Sequence, residues 1–167
     1  MTSKSRSEKD PAISPQTRLL ILRLAATLLD RYQVHAPPVP IERMLTDPLL
    51  DLLETNPRKI SSGVGHGIYR YSPRLAQARL LYRTLSDSSA ARQAGLDAPW
   101  PASRREVKYF ARCLLMPEDW IRALPAADRL PETIGEKFQV PAFEAIIRLT
   151  ELDLAVPGGE PIDPDQF

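Results

Sequence analysis

Apolar side chains along this chain recur mostly at spacings of three and four, and the runs they form are fenced by prolines. Ser14 and Pro15 open the first run. Ser14 can cap a helix, and Pro15 suits the first helical position, where no backbone bond is lost. Leu19, Leu22, Ala26 and Leu29 follow at helical spacing and predict a helix ending near Tyr32. His35-Ala-Pro-Pro-Val-Pro40 is a stiff extended connector, because each proline holds its predecessor out of the α region. Ile41 to Leu45 then reads as a short helix. Ser72 and Pro73 repeat the cap-plus-proline start, and Leu75, Ala78, Tyr82 and Leu85 carry that helix to about Ser88. Ser103 opens the clearest helix, in which Val107, Phe110, Ala111, Leu114 and Leu115 form one continuous stripe. Shorter helices are predicted from Glu118 to Leu124, Pro131 to Phe138 and Pro141 to Leu152.

Between these runs the pattern changes. Gly67-Ile-Tyr-Arg-Tyr71, with its β-branched and aromatic residues, predicts a strand. It follows the loop-like Ser61-Ser-Gly-Val-Gly-His-Gly-Ile68. Leu49 to Glu54 fits a strand or a helix. Ala90 to Ala102, with Gly95 and Pro99-Trp-Pro101, reads as a loop. Residues 1–13 are too polar to bury anything and predict a disordered arm. Residues 156–167, rich in proline and glycine, predict a flexible tail. The expected organisation is one domain over 14–155, whose C-terminal part, about 117–152, is helical. The expected fold class is α+β, mainly helical, with a small β-sheet packed on the helix at 73–88. No internal repeat is visible.

Composition narrows the function classes. The chain has 167 residues, 43% of them hydrophobic, enough for one domain with a real core. Twenty-two basic and 21 acidic side chains leave a net charge of +1, so no overall field draws it to nucleic acid or an anionic membrane. The single cysteine, Cys113, excludes an internal disulfide and a cysteine-based zinc cluster. No segment has the length and apolarity of a membrane span. The polar start, without a signal-peptide pattern, predicts a cytoplasmic protein.

Candidate chemistry is sparse. The two histidines, His35 and His66, lie in a proline-rich connector and a glycine-rich loop, and no H-x-x-x-H pattern exists. Surface or turn positions are the better reading for both. Cys113 lies one residue off an apolar stripe and reads as a partly buried structural thiol rather than a nucleophile. Ser86, Ser88 and Ser89 beside Asp87 lack the glycine-framed elbow of a hydrolase and read as a helix C-terminus. Gly63, Gly65 and Gly67 lack the Lys-Ser/Thr of a phosphate cradle and read as a turn or bulge. Trp100 and Trp120 stand near proline breaks, where either could anchor a partner, and a cap on the core is the better reading. Residues 130–152 have a helix-turn-helix outline, with Phe143, Glu144 and Arg148 on the reader face. Only Arg148 suits base recognition, and Glu144 repels phosphate.

Four pieces resemble, in order, the ImmA/IrrE-type metallopeptidase family: Pro37-Pro-Val-Pro-Ile-Glu-Arg-Met44; Ser62-Gly63 followed by Gly67-Ile-Tyr-Arg-Tyr71; Ala78-Arg79-Leu80; and Phe110-Ala-Arg-Cys-Leu-Leu-Met-Pro117. The last is joined by Ile134-Gly-Glu-Lys-Phe-Gln-Val140 and Ile147-Arg148-Leu149. The resemblance covers roughly 15–152 and implies a zincin-like domain. In that family two histidines four apart bind zinc, and a glutamate between them activates water. Aligned on Arg79, the histidine positions fall on Thr84 and Ser88 and the glutamate on Leu85. A third ligand position falls on Glu106, whose other reading is an ordinary surface acid among Arg104, Arg105 and Lys108. A catalytic zinc needs three protein ligands, so no catalytic residue, metal or cofactor is expected. The resemblance therefore implies a pseudo-peptidase that binds proteins, with a helix-turn-helix transcriptional repressor as the implied partner and a groove beside the old zinc helix as the place for a peptide strand. The alternatives are an active zinc endopeptidase whose ligands come from elsewhere, and a DNA-binding regulator using residues 130–152. Direct DNA binding is disfavoured by the charge balance.

Overall fold

In the computed structural model, residues 12–46, 72–93 and 102–156 are described. Ser14 caps the first helix, α1 (Pro15–Arg31), by accepting from the Thr17 amide at 3.1 Å. Its buried residues are Ile21, Leu24, Ala25, Leu28 and Leu29, whereas Leu19 is 57% exposed. The buried stripe is thus rotated from the predicted one, with Ala25 buried and Ala26 exposed. After α2 (Ile41–Thr46) comes α3 (Pro73–Asp87), capped by Ser72 and begun at Pro73 as predicted. Arg74 ties α3 to α2: it donates to the Val39 carbonyl and pairs with Glu42 at 3.5 Å.

A short helix, α4 (Ser89–Gln93), follows directly. This corrects the loop predicted from Ala90 onward: the Ser88 hydroxyl accepts from the Ala91 amide at 3.1 Å, a side-chain cap that starts a new helix before any glycine intervenes.

The central element is α5 (Arg104–Leu115), packed against α1 on one side and α3 on another. Phe110 and Leu114 are fully buried, and the Phe110 ring lies 4.7 Å from that of Tyr82 on α3. Arg18 on α1 stands 5.1 Å over the Tyr109 ring. Pro117 precedes α6 (Glu118–Arg122), a 3-10 turn spans Ala126–Asp128, and α7 (Pro131–Phe138) and α8 (Ala142–Glu151) form a packed pair.

Three helices end alike. Gln33, Gln139 and Asp153 take left-handed backbone (φ 53°, 56° and 53°), and the next residue donates back into the helix: Val34 to Leu29, Val140 to Gly135 and Leu154 to Leu149. These are Schellman closures, which satisfy otherwise orphaned carbonyls. At the second one the chain comes so close that a Cβ on Gly135 would lie 2.9 Å from the Val140 carbonyl oxygen.

The expected small β-sheet is not found. The described residues form helices and no strand, so the α+β class is corrected to mainly helical. The physical reason lies on α3, whose buried face is covered by α5 and α2, helices taking the place the sheet was to fill. The predicted strand at 67–71, the ambiguous stretch at 49–54, and most of the arm and tail lie outside the described residues. No helix among the described residues is long and apolar enough to cross a membrane.

Candidate functional site

Ligands on a helix share a face four residues apart only while the helix continues. Here α3 stops at Asp87, and Ser88 is its C-cap with extended backbone (φ −88°, ψ 123°). Ser88 is thus the half-in cap of α3: its amide bonds the Leu85 carbonyl at 3.2 Å rather than that of Thr84, and the chain leaves the helix after it. Both hydroxyls are also committed to main chain. Thr84 donates to the Leu80 carbonyl at 3.0 Å, and Ser88 accepts from the Ala91 amide at 3.1 Å. Leu85, at the glutamate position, is buried in the core. Ser86 is buried too and donates to the Tyr82 carbonyl at 2.9 Å. The helix terminus expected for these serines is present.

Glu106 has a defined structural task. Its carboxylate accepts from the Ser103 amide at 2.8 Å, while the Ser103 hydroxyl accepts from the Glu106 amide at 3.2 Å. This reciprocal capping box closes the start of α5. Glu106 is thus a half-buried acid that caps α5. No group of three His, Cys, Asp or Glu side chains is placed to hold a metal ion among the described residues. The zinc that the resemblance implies thus does not fit the side chains at 84, 85, 88 and 106. His66 lies outside the described residues, and His35 is exposed beyond the end of α1.

What α3, α5 and α8 do assemble is an ion network. Arg79 donates to Glu144 at 3.1 Å, and Arg112 donates to the other oxygen of Glu144 at 3.3 Å. Arg112 also holds Glu151 through two nitrogens at 2.9 and 2.6 Å, and Arg148 reaches Glu151 at 3.2 Å and the Met116 carbonyl at 3.1 Å. Burial works against the charge on Arg112, but the Glu151 and Glu144 carboxylates outweigh it and its pKa rises. For Arg79 burial prevails and the pKa falls. The side chains of Arg148 and Glu151 are 1% and 2% exposed, so this network joins helices rather than meeting a ligand. It also removes Arg148 from any reader surface. The one base-reading candidate at 130–152 points into the protein, and Glu144 is held by two arginines.

A groove of about 380 Å³ lies elsewhere, between α1 and the α5–α6 junction. Leu22, Ala25 and Leu29 of α1 face Cys113, Pro117 and Trp120 across it, with Asp30, Glu118, Asp119 and His35 at its edge. No residue of α3 lines it, so it is not the strand-binding groove expected beside that helix. Cys113, expected to be partly buried, is 2% exposed, and burial raises its thiol pKa against the opposing influence of Arg148. Trp120 stacks on Phe138 with centroids 6.4 Å apart, consistent with the core-capping role predicted for it. Trp100 lies outside the described residues.

Sequence reasoning missed the ion network. Its partners are up to 65 positions apart, and only Arg148 and Glu151, three apart, left a local trace. Comparison with protein-family models, curated proteins and solved structures finds no match.

Proposed function

We propose that this protein is a non-catalytic relative of the ImmA/IrrE-type peptidases and acts by binding another protein, with a helix-turn-helix transcriptional repressor as the partner class. The observation that carries the non-catalytic part is the chemistry at the aligned positions, where Thr84 and Ser88 engage their hydroxyls with backbone in place of imidazoles. The position aligned with the family's glutamate supplies no base either, since Leu85 is buried and apolar. The family assignment and the partner class rest on the sequence resemblance. Burial of Arg148 weighs against the DNA-reading alternative.

The test uses the full chain, supplied with excess zinc and mixed with unfolded proteins and helix-turn-helix repressors, with and without a chelator. The expected result is a retained, uncut repressor and no chelator-sensitive fragments. Cleavage that chelation abolishes would overturn the proposal and favour a peptidase with ligands supplied from elsewhere.

A further inference from the structure

Among the described residues, the groove between α1 and α6 is lined by three carboxylates and by no lysine or arginine. Glu118 is paired with Arg122 at 2.6 Å, but Asp30 and Asp119 are exposed and make no ion pair among the described residues. Beneath this acidic edge lie small and apolar side chains, Ala25, Cys113, Leu22 and Leu29. Trp120 supplies an aromatic wall already braced by Phe138. Braced aromatic residues beside apolar hollows are the usual anchors of protein interfaces. The volume, about 380 Å³, falls within the range of sites that take up side chains or small ligands.

From this geometry we propose that the groove receives an amphipathic helix of a partner protein, with its apolar face in the hollow and lysine or arginine along the flank. A helix is favoured over a strand because both walls are helices, and the described residues offer no sheet edge to extend. Acidic residues over an apolar floor discriminate by charge: a basic flank is attracted, and an acidic one is repelled. This deepens the protein-binding function above, and rests on it, by naming the chemistry of the partner surface.

The test titrates the full chain into a fluorescent 14-residue Leu/Lys amphipathic peptide and, separately, a Leu/Glu peptide of the same pattern, read by anisotropy. Ala26→Trp fills the groove from an exposed position, and the double variant Asp30→Lys/Asp119→Lys reverses its edge at two exposed positions. Circular dichroism verifies that both variants fold. Saturable binding of the Leu/Lys peptide alone is expected. It is lost in Ala26→Trp, and in the double variant it is weakened about tenfold while Leu/Glu binding appears. Equal binding of both peptides, no binding, or binding indifferent to the variants would overturn the proposal. None of these outcomes alters the cleavage and chelation test, so the two ideas fail separately.

Discussion

Glu151→Ala should be among the most damaging single substitutions in this protein outside the apolar core. The carboxylate accepts two hydrogen bonds from Arg112, at 2.9 and 2.6 Å, and one from Arg148 at 3.2 Å. Its removal leaves guanidinium groups whose side chains are 5% and 1% exposed with only Glu144 nearby, and Glu144 already serves Arg79. Breaking a buried pair from one side costs about 3–5 kcal/mol, because the surviving charge stays buried without compensation. That is a large share of the roughly 5–15 kcal/mol by which a domain is stable. The protein carries its own control. Arg122 and Glu118 also approach to 2.6 Å, but their side chains are 46% and 38% exposed. Glu118→Ala should cost only about 0.3–0.5 kcal/mol, since water and salt screen the pair. Urea unfolding followed by circular dichroism reads both as shifts in midpoint at constant slope. Equal losses from the two variants would refute the argument that burial, not distance, sets the strength of these pairs.

Other substitutions probe the ends of helices and the buried hydroxyls. Thr84→His/Ser88→His introduces two histidines but no third ligand, because Glu106 is engaged in capping α5, so isothermal titration should detect no submicromolar zinc; a stoichiometric tight site would show that Glu106 can leave its cap. Gln139→Gly relieves a left-handed residue and should stabilise by about 0.5–1 kcal/mol, whereas Gly135→Ala should destabilise by about 1–3 kcal/mol despite alanine's helix propensity, because its Cβ would press on the Val140 carbonyl; thermal melts separate the two. Burial, with the neighbouring Cys113 adding, pushes the Tyr109 hydroxyl up to about 12 from 10.0. The folded protein therefore holds this proton more tightly than the unfolded chain. The associated stability is complete below pH 10 and is lost as pH rises toward 12. Tyr109→Phe should flatten that decline in urea titrations, and an unchanged slope would contradict it.

The helices were legible where local chemistry announces them. Ser14-Pro15 and Ser72-Pro73 begin α1 and α3 as their cap-plus-proline pattern implies, and Ser103 begins α5. Three helix ends, expected near Tyr32, Phe138 and Leu152, were legible to within a residue although no glycine marks them: Gln33, Gln139 and Asp153 take the left-handed backbone instead. The apolar residues that follow, Val34, Val140 and Leu154, are the signal that remained. The small sheet was inferred from a strand-like run at 67–71, but the packing partners of α3 among the described residues are helices. The absence of histidine and glutamate at 84, 85 and 88 was visible as residue types, and so was the helix end near Ser88, whereas the backbone bonds of the Thr84 and Ser88 hydroxyls were not. Ser103-Arg-Arg-Glu106 carries the capping-box spacing, a signal that the reading of Glu106 as a surface acid passed over.

The most direct test of a frame without a metal site is native mass spectrometry of the full chain, purified without chelator and titrated with zinc. The account predicts the metal-free mass at low micromolar zinc, with only weak, non-stoichiometric adducts above it. One zinc per chain, retained through buffer exchange and removed by chelation, would contradict it.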